Sequence, residues 1–146
     1  MQELGAGENG FDGTPVSGGL ALKDYLHSLV DAAEGRKLPP GYVPQTTYWL
    51  RAPEGLVGVL RLRHRLNESL LKQGGHIGYW VRPSVRRKGY GAAALRLALA
   101  ELKTIGEPNA LVTVDKDNTP SNCTAASCGG RLEAGEDGVN RYWWTA

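Results

Sequence analysis

No run in this 146-residue chain approaches the ~18 consecutive apolar residues that cross a bilayer, which excludes a transmembrane protein and a membrane partner. The opening MQELGAGENG has neither a basic start nor an apolar stretch, so no secretory signal is read there and the expected setting is cytoplasmic. Cysteine is scarce. Cys123 and Cys128 stand five apart, which is neither a CxxC pair nor a zinc pattern, so two reduced thiols and no metal site are expected. Charge of one sign is lacking too. The 17 Lys and Arg against 15 Asp and Glu leave +2, too little for the whole chain to coat nucleic acid or another polyanion. No internal repeat is visible. The length suits a single domain with a sizeable core, spanning residues 1–146. Glycine is what the chain has in excess: 20 residues, about twice the usual ~7%.

The small net charge hides a gradient. Residues 1–35 carry one base (Lys23) and six acids; residues 36–91 carry eleven bases and two acids (Glu54, Glu68); residues 92–146 carry five bases and seven acids. The basic middle suits an anionic partner, and equally suits edge strands that use Lys and Arg against aggregation.

Residues 1–19 show no periodicity and read as irregular. Leu22, Leu26, Leu29 and Ala33 then fall on one helical face, with Gly35 placed to end the helix. A Pro- and Gly-rich loop leads to a strand over Thr46–Arg51. After the Glu54-Gly55 turn comes a second strand over Leu56–Leu66, in which Leu60, Leu62, His64 and Leu66 alternate with Arg61, Arg63 and Arg65. The breaker-rich 67–75 leads to a third strand, His76–Val81, stopped by Pro83. These three strands predict an antiparallel meander. The period then turns helical over Gly91–Lys103, with Leu95, Leu99 and Leu102 on one stripe. A buried strand over Ala110–Asp115 follows, expected to lie parallel to His76–Val81 through a crossover connection. A short helix over Ser121–Ser127 and strands at Arg131–Glu133 and Val139–Trp144 complete an α+β fold whose mixed sheet starts antiparallel and turns parallel around the helix.

Val81 to Ala94, VRPSVRRKGYGAAA, joins a strand to the N-terminus of the best helix. Gly89 and Gly91 permit a sharp turn that aims backbone N–H groups at a ligand, and the helix adds its positive dipole end. Arg82, Arg86, Arg87 and Lys88 place four cations within seven residues. Strand, basic loop, GxG and helix together point to a phosphate or pyrophosphate seat. The segment from Gly89 to Ala94 also fits GxGxxA, with Asp115 ending the next strand, as a dinucleotide site asks. The long basic loop between strand and glycines, the preceding antiparallel strands and the short remainder of the chain weigh against that. A nucleic-acid module, suggested by Arg61, Arg63, Arg65 and the Arg82–Lys88 cluster, lacks a stacking platform and leaves Gly89 and Gly91 unexplained.

Arg86-x-x-Gly89-x-Gly91 resembles the RxxGxG signature of the GNAT acyltransferases. Gly74-Gly75-His76-Ile77-Gly78-Tyr79 before it, and Asp115 to Ser121 running on to Gly129-Gly130, extend the likeness over about residues 20–144. The resemblance implies acetyl-CoA as the ligand, its pyrophosphate on backbone N–H groups of Arg86, Arg87, Lys88, Gly89, Tyr90, Gly91 and Ala92. It implies that the pantetheine arm pairs with the strand at Trp80 and Val81, where the parallel neighbour splays away, and that Asn118 contacts that arm with Ser121 nearby. The implied reaction is direct attack of an amine, on a small molecule or on a protein or peptide, within a ternary complex, with positioning as the main contribution. An amine of pKa ~10.4 must first lose a proton, and the candidate bases are His64, Glu68 and His76. A strand N–H near Val81 would meet the developing oxyanion.

The sequence departs from the family twice. The tyrosine that protonates the departing thiolate would stand seven residues after Asn118, where this chain has Ala125, leaving Ser127 or water for that task. The chain also reads as starting after the family's first strand, which would leave the substrate wall incomplete, rebuilt by the N-terminal segment or supplied by a second subunit in a homodimer. Trp49, Trp80, Trp143 and Trp144 are candidates to shape an acceptor pocket, against the simpler reading as core. The expected function is an acetyl-CoA-dependent N-acetyltransferase, with a CoA-binding sensor or interaction domain as the alternative that Ala125 favours.

Overall fold

A computed structural model describes residues 19–135 and 137–145, together with the short paired strands β1 (Gly7–Glu8) and β2 (Phe11–Asp12). Apart from those two strands, the N-terminal segment expected to be irregular lies outside the described residues. Helix α1 (Gly19–Ala33) ends as expected, with Gly35 in the left-handed region at φ 73°, a conformation that costs a residue without Cβ nothing. Arg36 and Lys37 fold back onto Asp31 beyond it, and α1 lies against β3.

Strands β3 (Gln45–Ala52), β4 (Gly55–Arg63) and β5 (Ile77–Val81) form the expected antiparallel meander. Leu60 and Leu62 are buried on one face of β4. The strand stops at Arg63, short of Leu66, because Arg63 turns inward: its guanidinium donates to the carbonyls of Gly74 (3.0 Å) and Gly75 (3.2 Å). Helix α2 (Glu68–Lys72) occupies a stretch with no readable period. Five residues are too few to show one, and Asn67 caps it by accepting from the Leu70 N–H at 2.9 Å.

Helix α3 (Tyr90–Thr104) buries Ala94, Leu95, Ala98 and Leu102 against the sheets, while Leu97 faces solvent. Strand β6 (Ala110–Asp115), helix α4 (Thr119–Ser127) and strands β7 (Arg131–Ala134) and β8 (Val139–Trp144) complete the fold, with a second sheet ordered β6-β8-β7. Leu60, Leu62 and Ile77 from the first sheet, Leu95 and Leu102 from α3, and Val112, Val114 and Tyr142 from the second share one core. Asn122 on α4 ties that helix to the second sheet: it donates to the Asp115 carbonyl (3.0 Å) and accepts from Asn140 (2.9 Å) and the Tyr142 hydroxyl (2.9 Å).

The α+β architecture is as expected, but the continuous sheet turning parallel is not formed. Every hydrogen-bonded ladder among the described residues is antiparallel. β5 and β6 meet at one end, where the His76 N–H donates to the Leu111 carbonyl at 2.8 Å and the Leu111 N–H donates to His76 Nδ1 at 3.0 Å. Beyond that clasp the strands separate, and a gap opens between Tyr79–Val81 and the segment after β6.

Candidate active site

The gap is built on two sides. On the first, a cleft of about 650 Å³ is lined by Tyr79, Trp80 and Val81 of β5, the loop residues Val85, Arg86, Arg87 and Gly89, the start of α3 at Tyr90, Gly91 and Ala92, and Asn118, Ser121 and Thr124 of α4. On the other, a cavity of about 180 Å³ is lined by Arg61, Arg63, Tyr79, Thr113, Asp115, Asn118 and Ser121, among others. Tyr79, Asn118 and Ser121 line both, so they stand where the two meet.

The loop has the conformation that an anion seat requires. Gly89 sits at φ 84° just before α3 with open space where a side chain would be, and no side chain caps the helix. The first N–H groups of α3 therefore have no helical acceptor and aim along the positive end of its dipole. Arg87 also takes a left-handed φ of 65°, a strain of about 1 kcal/mol for a residue with a side chain. With Gly89 it curls successive N–H groups into a concave nest. Val85 is buried and anchors the loop from below.

Most of the basic side chains have structural tasks. Arg86 Nε donates to the Val81 carbonyl at 2.8 Å, and its guanidinium stands 5.8 Å from the centre of the Trp80 ring. Arg82 Nε donates to Ser84 Oγ at 3.2 Å. Lys88 pairs with Glu54 at 3.1 Å, and the Tyr90 hydroxyl donates to the same carboxylate at 2.7 Å. The Tyr90 hydroxyl above all, then a backbone N–H and the Lys88 ammonium, hold the Glu54 carboxyl pKa down to about 2. The β3–β4 turn is thus latched to the loop.

β5 presents its backbone to the gap at alternate residues. Arg63 N–H donates to the His76 carbonyl and Arg82 N–H to the Val57 carbonyl, so the ladder to β4 takes the backbone groups of His76, Gly78, Trp80 and Arg82. Those of Tyr79 and Val81 face the gap. Trp80, expected there, spends its backbone groups on β4, and its buried ring packs with Val59 while still bordering the cleft. Asn118 is the N-cap of α4, its side chain accepting from the Ser121 N–H at 3.4 Å.

The expected bases do not converge on the gap. His64 bonds Thr46 Oγ1 at 2.8 Å on the other side of the meander's end. Glu68 is exposed in the first turn of α2. His76 is 1% exposed and is the clasp between β5 and β6. Burial pushes its pKa below the usual histidine value, an effect that Glu107, 3.7 Å away, only partly offsets. Ser127 is exposed and donates to the Thr124 carbonyl at 3.0 Å, away from both cavities. Ala125 is 1% exposed in the core. Of the tryptophans, Trp80 is core, Trp49 is largely exposed, and Trp144 is half buried with Nε1 donating to the Cys128 carbonyl at 2.9 Å.

Residues 27–131 match the family described as the acetyltransferase (GNAT) domain. The chain belongs to the GNAT acetyltransferase family. Its fold is shared by solved structures at low identity. RimL, a ribosomal L7/L12 alpha-N-protein acetyltransferase in complex with coenzyme A, superposes with a TM-score of 0.63 at 20% identity, over 89% of this chain and 74% of that one. The microcin C7 self-immunity acetyltransferase MccE, in complex with acetyl-CoA and AMP, gives 0.62 at 20% identity over 86% and 70%. The PaiA N-acetyltransferase of Thermoplasma acidophilum, in complex with coenzyme A, gives 0.61 at 14% identity over 85% and 70%. No curated protein matches the chain significantly in sequence.

Three features of this GNAT site were not read from the sequence: the left-handed Arg87, the Glu54 latch and Tyr79. Arg87 carries no signal, since nothing in its type announces φ. The latch joins residues 34 and 36 positions apart. Tyr79 had a signal in strand alternation, because a residue next to the buried Trp80 must face the other way. Among the described residues no His, Cys, Asp and Glu cluster suits a metal ion, and no helix is long and apolar enough to cross a membrane.

Proposed function

We propose that this chain is an acetyl-CoA-dependent N-acetyltransferase that passes the acetyl group directly to an amine in a ternary complex. The observation that carries the proposal is the continuity of one cleft from an uncapped helix start to the splayed edge of β5. The residues present fit coenzyme A. The nest from Arg87 to Ala92 is open at Gly89 and offers N–H donors and Arg87 to a pyrophosphate. The Tyr79 and Val81 backbone groups that face the gap suit an extended amide-bearing arm, which adds to a strand edge as a further strand does. Val81 has its N–H to offer, since its carbonyl already accepts from Arg86. Asn118 and Ser121 close the arm's other side.

Acetyl-CoA supplies an acetyl group activated as a thioester. The protein's contribution is orientation: the cleft fixes the thioester where the strands part, and the acceptor amine enters through the smaller cavity on the far side of Tyr79 and Asn118. The Val81 N–H is the donor aimed at the developing oxyanion. Asp115 is the carboxylate that lines the acceptor-side cavity, so proton removal from the amine through water to Asp115 replaces the route through His64, Glu68 or His76. An acceptor amine on a protein, as RimL's description states for that enzyme, is one class that suits an open cavity. A homodimer is retained in the proposal because the outer edge of β3 pairs with no strand among the described residues.

Calorimetry with acetyl-CoA, free CoA and NAD tests the ligand, with micromolar binding expected for the first two only. Thiol release across a panel of amines tests catalysis. Binding with silence toward every amine would favour the second reading, a non-catalytic CoA-binding domain, which the buried Ala125 motivates.

A further inference from the structure

With Ala125 buried and Ser127 turned away, the side of the gap formed by α4 offers no acid at the position where the GNAT resemblance implies a tyrosine. The opposite side does have a phenol. Tyr79 projects from β5 toward α3 and α4: a Cβ on Gly91 would stand 3.2 Å from the Tyr79 ring, so the glycine is what lets the ring lie against the first turn of α3. Ser121 and Thr124 line the same cleft and stand close enough to its hydroxyl to favour its ionised form. It lies two residues before Val81, on the face of β5 that lines both the cofactor cleft and the acceptor cavity.

We propose that the Tyr79 hydroxyl protonates the departing coenzyme A sulfur, performing from β5 the task that an α4 tyrosine would perform. This rests on the acetyltransferase reading. As the acceptor nitrogen bonds to the acetyl carbon, the carbon–sulfur bond breaks and its electron pair stays on sulfur. Tyr79 Oη gives its proton to that sulfur. Ser121 steadies the resulting phenolate, which recovers through water the proton lost by the amine. The products are an N-acetylated amine and a thiol, with no other reactant needed. Burial, the largest influence on Tyr79, raises its pKa above the ordinary phenol value, so the proton is retained on the enzyme throughout the neutral range.

Tyr79→Phe is the test, with three readouts. Acetyl-CoA affinity by calorimetry should stay within about threefold, since the backbone at Tyr79 is unchanged. The kcat should fall about 100-fold with both KM values nearly constant, the usual size of a lost general acid. Independently of turnover, ultraviolet titration of bound CoA should show about a tenfold larger thiolate fraction at neutral pH in the wild type, because a phenol that can donate to sulfur also stabilises the thiolate. A kcat within threefold, an unchanged thiol titration, or a loss confined to acetyl-CoA affinity would each overturn the assignment. Failure of the wild type to bind CoA overturns both readings. Binding without turnover overturns the acetyltransferase reading and the acid role that rests on it, whereas turnover that Tyr79→Phe leaves unchanged overturns the acid role alone. If the phenylalanine variant does not fold, 3-fluorotyrosine at position 79 keeps the ring and lowers its pKa. The alkaline limb of kcat should then move down, and an unmoved limb overturns the proposal.

Discussion

The two sides of the gap between β5 and β6 are made of different material. The cofactor side is mostly backbone: a nest curled by Arg87 and Gly89, an uncapped helix and a strand edge. The acceptor side is made of side chains, Arg61, Thr113, Asp115 and Asn118, gathered from β4, β6 and the turn after it. A backbone site is specified by a few consecutive residues and tolerates most side chains provided the dihedrals are kept. A side-chain site depends on a fold-wide convergence in which each residue can change alone. The sharpest way to break the comparison is Gly89→Glu, which puts a carboxylate in the open space of the nest at a left-handed φ. Like charges at a desolvated seat cost several kcal/mol, so acetyl-CoA affinity should fall by about 100-fold or more. The backbone strain costs about 1 kcal/mol, and the thermal midpoint should drop by only a few degrees. Gly89→Ala, with the same φ problem and no charge, should lose less than about tenfold in affinity. Equal losses for the two variants would show that conformation, and not an anion, governs the position.

A milder perturbation touches the junction between backbone and side-chain design. Glu54 holds Lys88 at 3.1 Å and Tyr90 at 2.7 Å beside the nest, so a negative charge stands next to the proposed phosphate seat. Glu54→Gln keeps an acceptor for Tyr90 while removing that charge and releasing Lys88. Acetyl-CoA affinity should rise about two- to fivefold at low salt, and the gain should shrink as salt screens it. Because Glu54 is held down to about 2, it stays ionised when folded throughout the ordinary range. A carboxylate lowered in this way contributes stability above its unfolded value of about 4.5, lost only as pH falls toward 2. The affinity gain should therefore be flat from pH 5 to 8, and a loss of affinity would make Glu54 an organiser of the nest.

The same division explains what could be read from the sequence. The meander, the α3 stripe of Leu95 and Leu102, and the GxG seat come from short-range signals: period two, period 3.6, and glycine where φ must be positive. The break between the sheets was hidden, because Ala110–Asp115 has the same buried composition whether or not it pairs with β5. At the break the imidazole of His76 takes the Leu111 N–H that a ladder carbonyl would otherwise take. His64, His76 and Glu68 have the residue types of bases, but type says nothing about reach. Tyr79 lines both cavities, but its place on β5 carries no motif that marks it for chemistry.

The smallest expected effect on cofactor binding concerns that clasp, where the fold and the site part company. His76 is 1% exposed, and burial depresses its pKa despite Glu107 at 3.7 Å. The unfolded chain takes up a proton near pH ~6.5, whereas the folded chain resists until a lower pH. The folded state thus binds fewer protons in that window, and stability, complete above ~6.5, falls as the pH drops toward the depressed folded value. His76→Asn offers Oδ1 in place of Nδ1 to the Leu111 N–H and cannot titrate. The variant should lose about 1 to 3 kcal/mol at pH 8 from lost volume, yet its thermal midpoint should decline less between pH 7 and 5 than that of the wild type. Acetyl-CoA affinity should stay within about twofold, because His76 joins the strands at the end opposite the gap. A wild-type slope kept by the variant would assign the pH sensitivity to another group, His64 being the other histidine lowered by burial. A large loss of affinity would instead mean that the clasp sets the width of the gap, and that the acceptor side depends on the hinge of the two sheets as well as on its own side chains.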